Sequence, residues 1–506
     1  MRQNPQSGFI KSQRGEKNKN KKVRGSSTTT PAIRPPSTSD RQPQPLGRER
    51  RNWCHGKISK EKKLRSERRR LPMENKRATK SQEEQWMVQN QVFRIYDLVY
   101  QLPPHAQAVN FELRRENHIE YLIKSLKQLG PNFAVLDANR PWLCYWIMHS
   151  IALLGDCVDD KLENDIIEFL KRCQDQNGGY GGGPGQMPHL ATTYAAINTL
   201  ITVGGHKSLS SINRGKLYDF LLRMKDSSGG FRMHDGGEID VRACYTAISV
   251  ASVLSILDDK LIQGVGDYIV SCQTYEGGIS GEPGSEAHGG YTFCGLAAMV
   301  LINEANRLDL PGLINWVVFR QGIECGFQGR SNKLVDGCYS FWQGGVAAII
   351  QRLHLIVSQQ LGLPNTFKFD HTTESDDDSS NSDGEQTFEG ASSPLEEMKS
   401  NGYEFIKGPI GMKPVFNSMA LQQYILLCTQ EEAGFRDKPG KRRDHYHTCY
   451  VLSGLSICQY SNVRDIESPP LPKDIVGPYS NLLEPVHPLY NIVLDKYFEA
   501  YEFFAR

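Results

Sequence analysis

Two kinds of helical stretch alternate along this chain. In Lys161–Leu170 and Lys260–Ile269, apolar residues recur at three- and four-residue steps with charges between them. That is the pattern of a helix with one face in a core and one in water. In Tyr194–Ile201, Tyr245–Leu254 and Val346–Ile350 the apolar residues run nearly all round, which predicts helices enclosed by protein. A glycine-containing turn separates each outer stretch from the inner one that follows: Gly178-Gly179-Tyr180, Gly229-Gly230-Phe231, Gly277-Gly278-Ile279, Cys325-Gly326-Phe327 and Ala433-Gly434-Phe435. The second glycines, Gly179, Gly230, Gly278 and Gly326, keep an even spacing, and only the interval from Gly326 to Gly434 is longer, at more than double the others.

A fixed period of roughly 50 residues marks a repeat architecture, in which each unit buries its apolar face only against its neighbours. The last interval therefore holds one ordinary period and an excess, and an acidic low-complexity stretch falls inside it at about 364–400, with Glu374-Ser375-Asp376-Asp377-Asp378 and Ser382-Asp383. Too few apolar residues and too much like charge predict a solvated insertion that interrupts the repeat without ending it. Arg115–Leu129 with Trp142–Leu154 supplies an earlier helix pair, and Ala420–Cys428 with Thr448–Cys458 the last. About six helical hairpins predict an all-α fold closed on itself, an α/α toroid whose inner helices line a central funnel with their first turns. The toroid domain is placed at 81–506, including a C-terminal extension at about 461–506.

Composition and charge sharpen this in three ways. With 506 residues, 39% hydrophobic, the chain can bury one large core. It lacks an apolar run long enough to span a bilayer and has a basic, polar beginning, so neither a membrane span nor a secretory signal is expected. Its 12 cysteines sit in helical stretches such as Leu143-Cys144-Tyr145 and Phe293-Cys294-Gly295 with no C-x-x-C pair, which predicts reduced thiols and a cytoplasmic location.

The formal charge of +2 conceals a split. Residues 1–80 carry 24 Lys and Arg against 6 Asp and Glu, and the remainder 35 against 51. The basic tail fits a disordered segment, a nuclear address or a nucleic-acid patch, and translation from Met73 would remove most of it. A disordered tail without a nucleic-acid partner is carried forward.

Aromatic residues recur at the starts of the inner stretches: Trp142, Trp146, Tyr194, Tyr245, Tyr291, Tyr339, Trp342 and Tyr450. A funnel with such walls suits a long apolar ligand, and aromatic faces also stabilise developing cationic charge. The cations Arg242, His288, Arg330 and Lys333 lie on the same loops, where helix N-termini add their dipoles and favour an anion of diphosphate size. Asp336 and Cys338 precede the fifth inner stretch and His447 the sixth, so the repeat makes neighbours of ligands that are distant in the chain. Carboxylate, thiolate and imidazole form a zinc set with one position open, as in catalytic rather than structural sites.

Several long motifs carry a family resemblance: Arg140-Pro-Trp142-Leu-Cys-Tyr-Trp146, Asp240-Val-Arg242, His288-Gly-Gly-Tyr291, Gly329-Arg330-Ser-Asn-Lys333-Leu-Val-Asp336-Gly-Cys338-Tyr339 and Asp437-Lys-Pro-Gly-Lys441. Over about 115–460 the chain resembles the β subunits of the protein prenyltransferases, the farnesyltransferase branch most closely. The resemblance implies transfer of a farnesyl group from farnesyl diphosphate to the cysteine of C-terminal Cys-a-a-X tails, as on small GTPases, by a heterodimer with a helical α subunit.

It also implies roles by position. One Zn²⁺ falls to Asp336, Cys338 and His447, and the diphosphate to His288, Arg330, Lys333 and Tyr339. Isoprenoid and peptide walls fall to Trp142, Trp146, His189, Tyr194, Arg242, Tyr245, Tyr291, Trp342, Tyr446 and Tyr450, and Mg²⁺ to Asp437. Bulky Trp142 and Tyr450 are expected to stop a fifteen-carbon chain at the funnel floor, with geranylgeranyltransferase type I as the runner-up. Asn139 and Thr192 depart from the family pattern near the pocket for the terminal X residue, and His445 stands beside His447 as a rival ligand. A terpenoid cyclase would need an Asp-x-Asp-Asp motif, which the chain lacks. A non-catalytic scaffold would leave the aligned aromatics and ligands unexplained.

Overall fold

The computed structural model describes residues 78–363, 394–465 and 468–505; the basic tail, Met73 and the acidic run at 374–383 lie outside them. Helix α1 (Lys80–Tyr100) opens with a capping box between Thr79 and Gln82. Outer and inner helices then alternate: α2 (Arg115–Lys127) and α3 (Arg140–Leu153), α4 (Asp160–Cys173) and α5 (Leu190–Val203), α6 (Arg214–Met224) and α7 (Val241–Val253), α8 (Val265–Ser271) and α9 (Gly289–Leu301), α10 (Leu310–Val318) and α11 (Tyr339–Arg352). Helix α12 (Pro394–Lys407) intervenes before the sixth pair, α13 (Ser418–Tyr424) and α14 (His445–Gln459). A short hairpin, β1 (Val486–His487) with β2 (Ile492–Val493), and helix α15 (Leu494–Phe504) complete the order. Each inner helix packs on the next and α14 returns to α3, closing the ring.

The two helix types arise as the hydrophobic pattern requires. Asp159 caps α4, Asp160 and Glu163 lie in its first turn, Lys171 and Arg172 in its last, and only Leu162, Ile166, Ile167, Leu170 and Cys173 are buried. Inner helix α5 is buried at every residue from Leu190 to Val203 except Ala191.

One repeated contact joins the hairpins. In three turns a side chain bridges its own turn to the start of the next outer segment. Lys225 donates to Gly229 O and Leu261 O, Gln273 to Gly277 O and Asp309 O, and Gln321 to Cys325 O and Asn417 O. Gln430 makes the same bridge backward, donating to Glu112 O at 3.0 Å. Its Oε1 lies 2.9 Å from His118 Nε2, while His118 Nδ1 accepts from Gly434 N at 2.7 Å. The device that links successive hairpins therefore also closes the ring. The turns need positive φ, supplied by Gly178, Gly229 and Gly277; in the fourth turn Cys325 adopts φ +78°, at a cost of roughly 1–2 kcal/mol.

Three details depart from the sequence expectations. The helix expected over Lys260–Ile269 is broken, Asp259–Ile262 being separate from α8, because Gly264 takes φ +73° and its carbonyl packs against Gly229. Helix α12 begins inside the stretch read as a solvated insertion. The fifth turn, in the sixth hairpin, pairs Gln430 with Phe435, one residue tighter than Gln174 with Tyr180 and its equivalents. A π-turn over Ile425–Thr429 inserts the compensating residue into the preceding helix.

Candidate metal centre and aromatic funnel

Helix N-termini leave backbone N–H groups without partners, and at the funnel rim the side chains that cap them also hold functional groups. Asp240 caps α7 through Arg242 N and Ala243 N and binds the Arg242 guanidinium. Asp444 caps α14 through His447 N and lies 2.8 Å from His447 Nδ1. His288 caps α9 by accepting from Gly290 N on Nδ1 at 3.0 Å, so the proton sits on Nε2, which faces Tyr339 Oη at 3.0 Å. With that imidazole as donor, the Tyr339 hydroxyl proton is not used in this contact. His189 caps α5 through Ala191 N in the same way.

The ligand atoms of Asp336, Cys338 and His447 lie within 4.8 Å of one another, and all three residues are buried. Asp336 Oδ1 accepts from Cys338 N at 3.0 Å and lies 3.1 Å from His447 Nε2. Burial raises the Asp336 carboxyl, but the charge and hydrogen bond of His447, with the Lys438 charge and the Cys338 contact, together hold the group well below the usual carboxylate range. Burial lowers His447, yet Asp336 and Asp444 hold it well above an ordinary imidazole. Burial, and then Asp336, pushes the Cys338 thiol up to about 12.

These groups fit a metal ion. The set offers one oxygen, one sulfur and one nitrogen. Asp444 holds Nδ1 so that Nε2 faces the other ligands, as an outer-sphere carboxylate does in metal sites. A metal ion would supply the positive charge that offsets the burial and the Asp336 carboxylate now holding the thiol neutral. His445, the rival ligand, is stacked between Tyr121 and Phe133 at 4.8 and 5.4 Å instead.

The expected diphosphate grip is assembled in part. Gly289 N donates to Gly329 O at 2.8 Å and so ties the His288 loop to the Arg330 loop. Gly329 must lack a side chain, since a Cβ there would lie 2.0 Å from the Tyr339 ring. Arg330 is paired with Glu286 at 3.0 Å and Lys333 is exposed. Asp437 is buried and its carboxylate is bound by Lys438. Burial, then Asp336, raises its pKa. One of its oxygens is engaged by an ammonium, with which a magnesium ion at Asp437 would compete.

Aromatic side chains close a complete circuit around the barrel. Successive ring centroids are 5.8 Å apart for Trp142–Tyr194, 5.6 for Tyr194–Tyr245, 5.4 for Tyr245–Phe293, 5.3 for Phe293–Trp342, 4.5 for Trp342–Tyr450, 4.9 for Tyr450–Tyr446, 5.6 for Tyr446–Trp146 and 5.7 for Trp146–Trp142. Every inner helix contributes. Sequence reasoning missed Phe293 and chose Tyr291, which lies outside the circuit beside Arg242 and His288. Counting would have found it: Tyr194, Tyr245, Phe293 and Phe341 all stand at one fixed offset after the second glycines Gly179, Gly230, Gly278 and Gly326.

The floor was also missed. The hairpin of the C-terminal extension rises into the barrel, where Tyr245 donates to Leu489 O, Tyr194 to Tyr490 O and Tyr145 to Asn491 O at 2.7–2.8 Å. Trp142 and Tyr450 belong to the walls above it.

A closed ring of inner helices with an aromatic lining and a buried oxygen–sulfur–nitrogen set at its mouth defines a helical toroid that can hold an apolar chain beside a metal centre. The family profile described as the prenyltransferase alpha-alpha toroid domain matches residues 113–492. A protein farnesyltransferase subunit beta from Pisum sativum is 62% identical over 435 residues, covering 85% of this chain and 97% of the relative. One from Arabidopsis thaliana is 56% identical over 467 residues, covering 90% and 95%. A geranylgeranyl transferase type-1 subunit beta from the same plant is 24% identical, covering 71% and 88%.

Among solved structures, a chain of the Candida albicans protein geranylgeranyltransferase-I complexed with GGPP shares the fold, with a TM-score of 0.52 at 19% identity, covering 78% of this chain and all of that one. The chain belongs to the protein farnesyltransferase β-subunit branch of the prenyltransferase α/α-toroid family. No helix among the described residues is long and apolar enough to cross a membrane.

Proposed function

We propose that this chain is the catalytic β subunit of a protein farnesyltransferase. It would transfer the farnesyl group of farnesyl diphosphate to the thiol of a C-terminal Cys-a-a-X cysteine, paired with a prenyltransferase α subunit. The observation that carries the proposal is the juxtaposition, at one rim, of the Asp336–Cys338–His447 set, the Tyr339–His288 donor and the mouth of the aromatic circuit.

Zinc held by Asp336, Cys338 and His447 would supply the positive charge that keeps an incoming cysteine as its thiolate at neutral pH. Asp444 fixes the His447 ring so that Nε2 faces the site. Tyr339, with His288 behind its oxygen, directs its O–H at negative charge growing on the departing diphosphate, the type of preorganised donor that contributes most to such barriers. Arg330 can join it by exchanging Glu286 for the diphosphate. The circuit of rings holds the isoprenoid and excludes water, so that its first carbon can be brought into line with the thiolate.

The test is a competition assay of the αβ complex with farnesyl and geranylgeranyl diphosphate against peptides ending in Met, Ser, Gln and Leu. Farnesylation of the Met, Ser and Gln peptides is expected. Preferred geranylgeranylation of the Leu peptide would assign the chain to the type I enzyme, and absence of any transfer would remove the proposal.

A further inference from the structure

The hairpin that floors the funnel is held from outside by α12, the helix that ends the insertion. His487 Nδ1 accepts from Leu489 N at 3.2 Å, which places its proton on Nε2, and that N–H donates to Gly402 O at 3.1 Å. Gly402 lies so close to the hairpin that a Cβ would stand 2.1 Å from Tyr490 Oη. That hydroxyl is itself 2.8 Å from Ser252 Oγ on inner helix α7, while Tyr490 O accepts from Tyr194 and Asn198 on α5.

The helix is in turn fastened to the blunt end of the barrel. Asn401 donates to Leu301 O at the end of α9, and Arg352 at the end of α11 donates to Phe405 O and Ile406 O in the last turn of α12 and to Gly408 O just beyond it. Tyr403 stacks on Tyr501 of α15 at 4.5 Å. The hairpin is thus clamped between inner-helix side chains above it and α12 below.

Two of the side chains that meet the hairpin, Tyr194 and Tyr245, are members of the aromatic circuit, and their hydroxyls end on its carbonyls. A shift of the hairpin therefore moves the lower boundary of the funnel and frees two of its wall rings together. We propose that α12 is a positioning element that sets funnel depth, and that Gly402 and His487 thereby determine which isoprenoid length is accepted. The inference rests on the prenyl-transfer reading above.

The test uses the αβ complex carrying Gly402→Ala, assayed with fifteen- and twenty-carbon diphosphates and one peptide. The new methyl group on α12 presses Tyr490 and the hairpin up into the barrel, so the ratio of kcat/KM should shift further toward the fifteen-carbon substrate by about tenfold, the scale on which apolar pockets discriminate chain length, with the peptide KM unchanged. Adding Tyr490→Phe removes the atom nearest the new methyl group and should return the ratio toward that of the unaltered complex. Glu404→Gln, exposed on the same helix, should leave it unchanged.

Should Gly402→Ala fail to assemble, Asn401→Ala, which removes the Leu301 tether and lets the hairpin sink, is read with the opposite sign, as a shift toward the twenty-carbon substrate. An unchanged ratio in a folded, active variant would overturn the inference. A wild-type complex that transfers neither isoprenoid would overturn the underlying functional reading instead.

Discussion

The two ends of the barrel use the same groups to opposite effect. At the blunt end the hydroxyls of Tyr145, Tyr194 and Tyr245 all terminate on backbone carbonyls of the hairpin, bonds that contribute about 1 kcal/mol each. At the rim the Tyr339 hydroxyl is backed by an imidazole donor, so its own proton is not used in that contact. A satisfied hydroxyl seals an end, whereas one whose oxygen alone is occupied leaves a donor for a ligand. Charge divides in the same way, since Asp336, His447, Asp437 and Lys438 are buried together at the rim, where mutual pairing is what makes their burial tolerable.

This contrast can be broken from either side. The largest effect is expected from Cys338→Ala, which removes the sulfur of the metal set. Metal content measured on the purified complex should fall from one zinc per complex to none, with transfer lost and thermal unfolding of the helices little changed. Retention of the metal would show that Cys338 is not a ligand. Tyr339→Phe should come next, lowering kcat by about 10²-fold, as for loss of one preorganised donor, with peptide KM unchanged; a pure KM effect would place Tyr339 in ground-state binding alone.

Acid should act on the fold rather than on the rim alone. Burial holds His118 at about 4, below its unfolded value, so the unfolded chain takes up the proton first. Stability is then lost as pH falls from about 6.5 to about 4, by about 3 kcal/mol for this residue. Urea unfolding at pH 7 and pH 4.5 should show the loss, and His118→Gln should flatten it; equal slopes would exclude His118 as a source.

The smallest effect belongs to Lys225, which burial lowers to about 8. Because its folded value lies below the unfolded one, stability should rise as pH climbs from about 8 to about 10.5. Lys225→Gln, which restores the residue found in the other turns, should abolish the rise at a gain below about 1 kcal/mol. A rise that survives in that variant would point to another group.

Much of this was legible because it was periodic. The recurrence of Gly178, Gly229 and Gly277, and the contrast between Lys161–Leu170 and Tyr194–Ile201, define hairpins and faces. The same period brings Asp336 and Cys338 together with His447 from the next hairpin. Apart from Phe293, what escaped has no period. The hairpin at Val486–Val493 enters the barrel through hydroxyl-to-carbonyl bonds that no hydrophobic pattern encodes. The engagement of Arg330 by Glu286 and of Asp437 by Lys438 depends on loop conformations that spacing does not fix.

The bridge from Gln430 to Glu112 has a statistical consequence. In an open solenoid the terminal units have one neighbour and fray first. Here the partition function of the array obeys a cyclic boundary condition, and every hairpin has two neighbours. Severing any one junction linearises the ring and creates two fraying ends at once. A circular permutant that joins the two flanks of the Gln430–Glu112 seam and opens a different outer loop would keep all six junctions, and its melting should remain a single cooperative step.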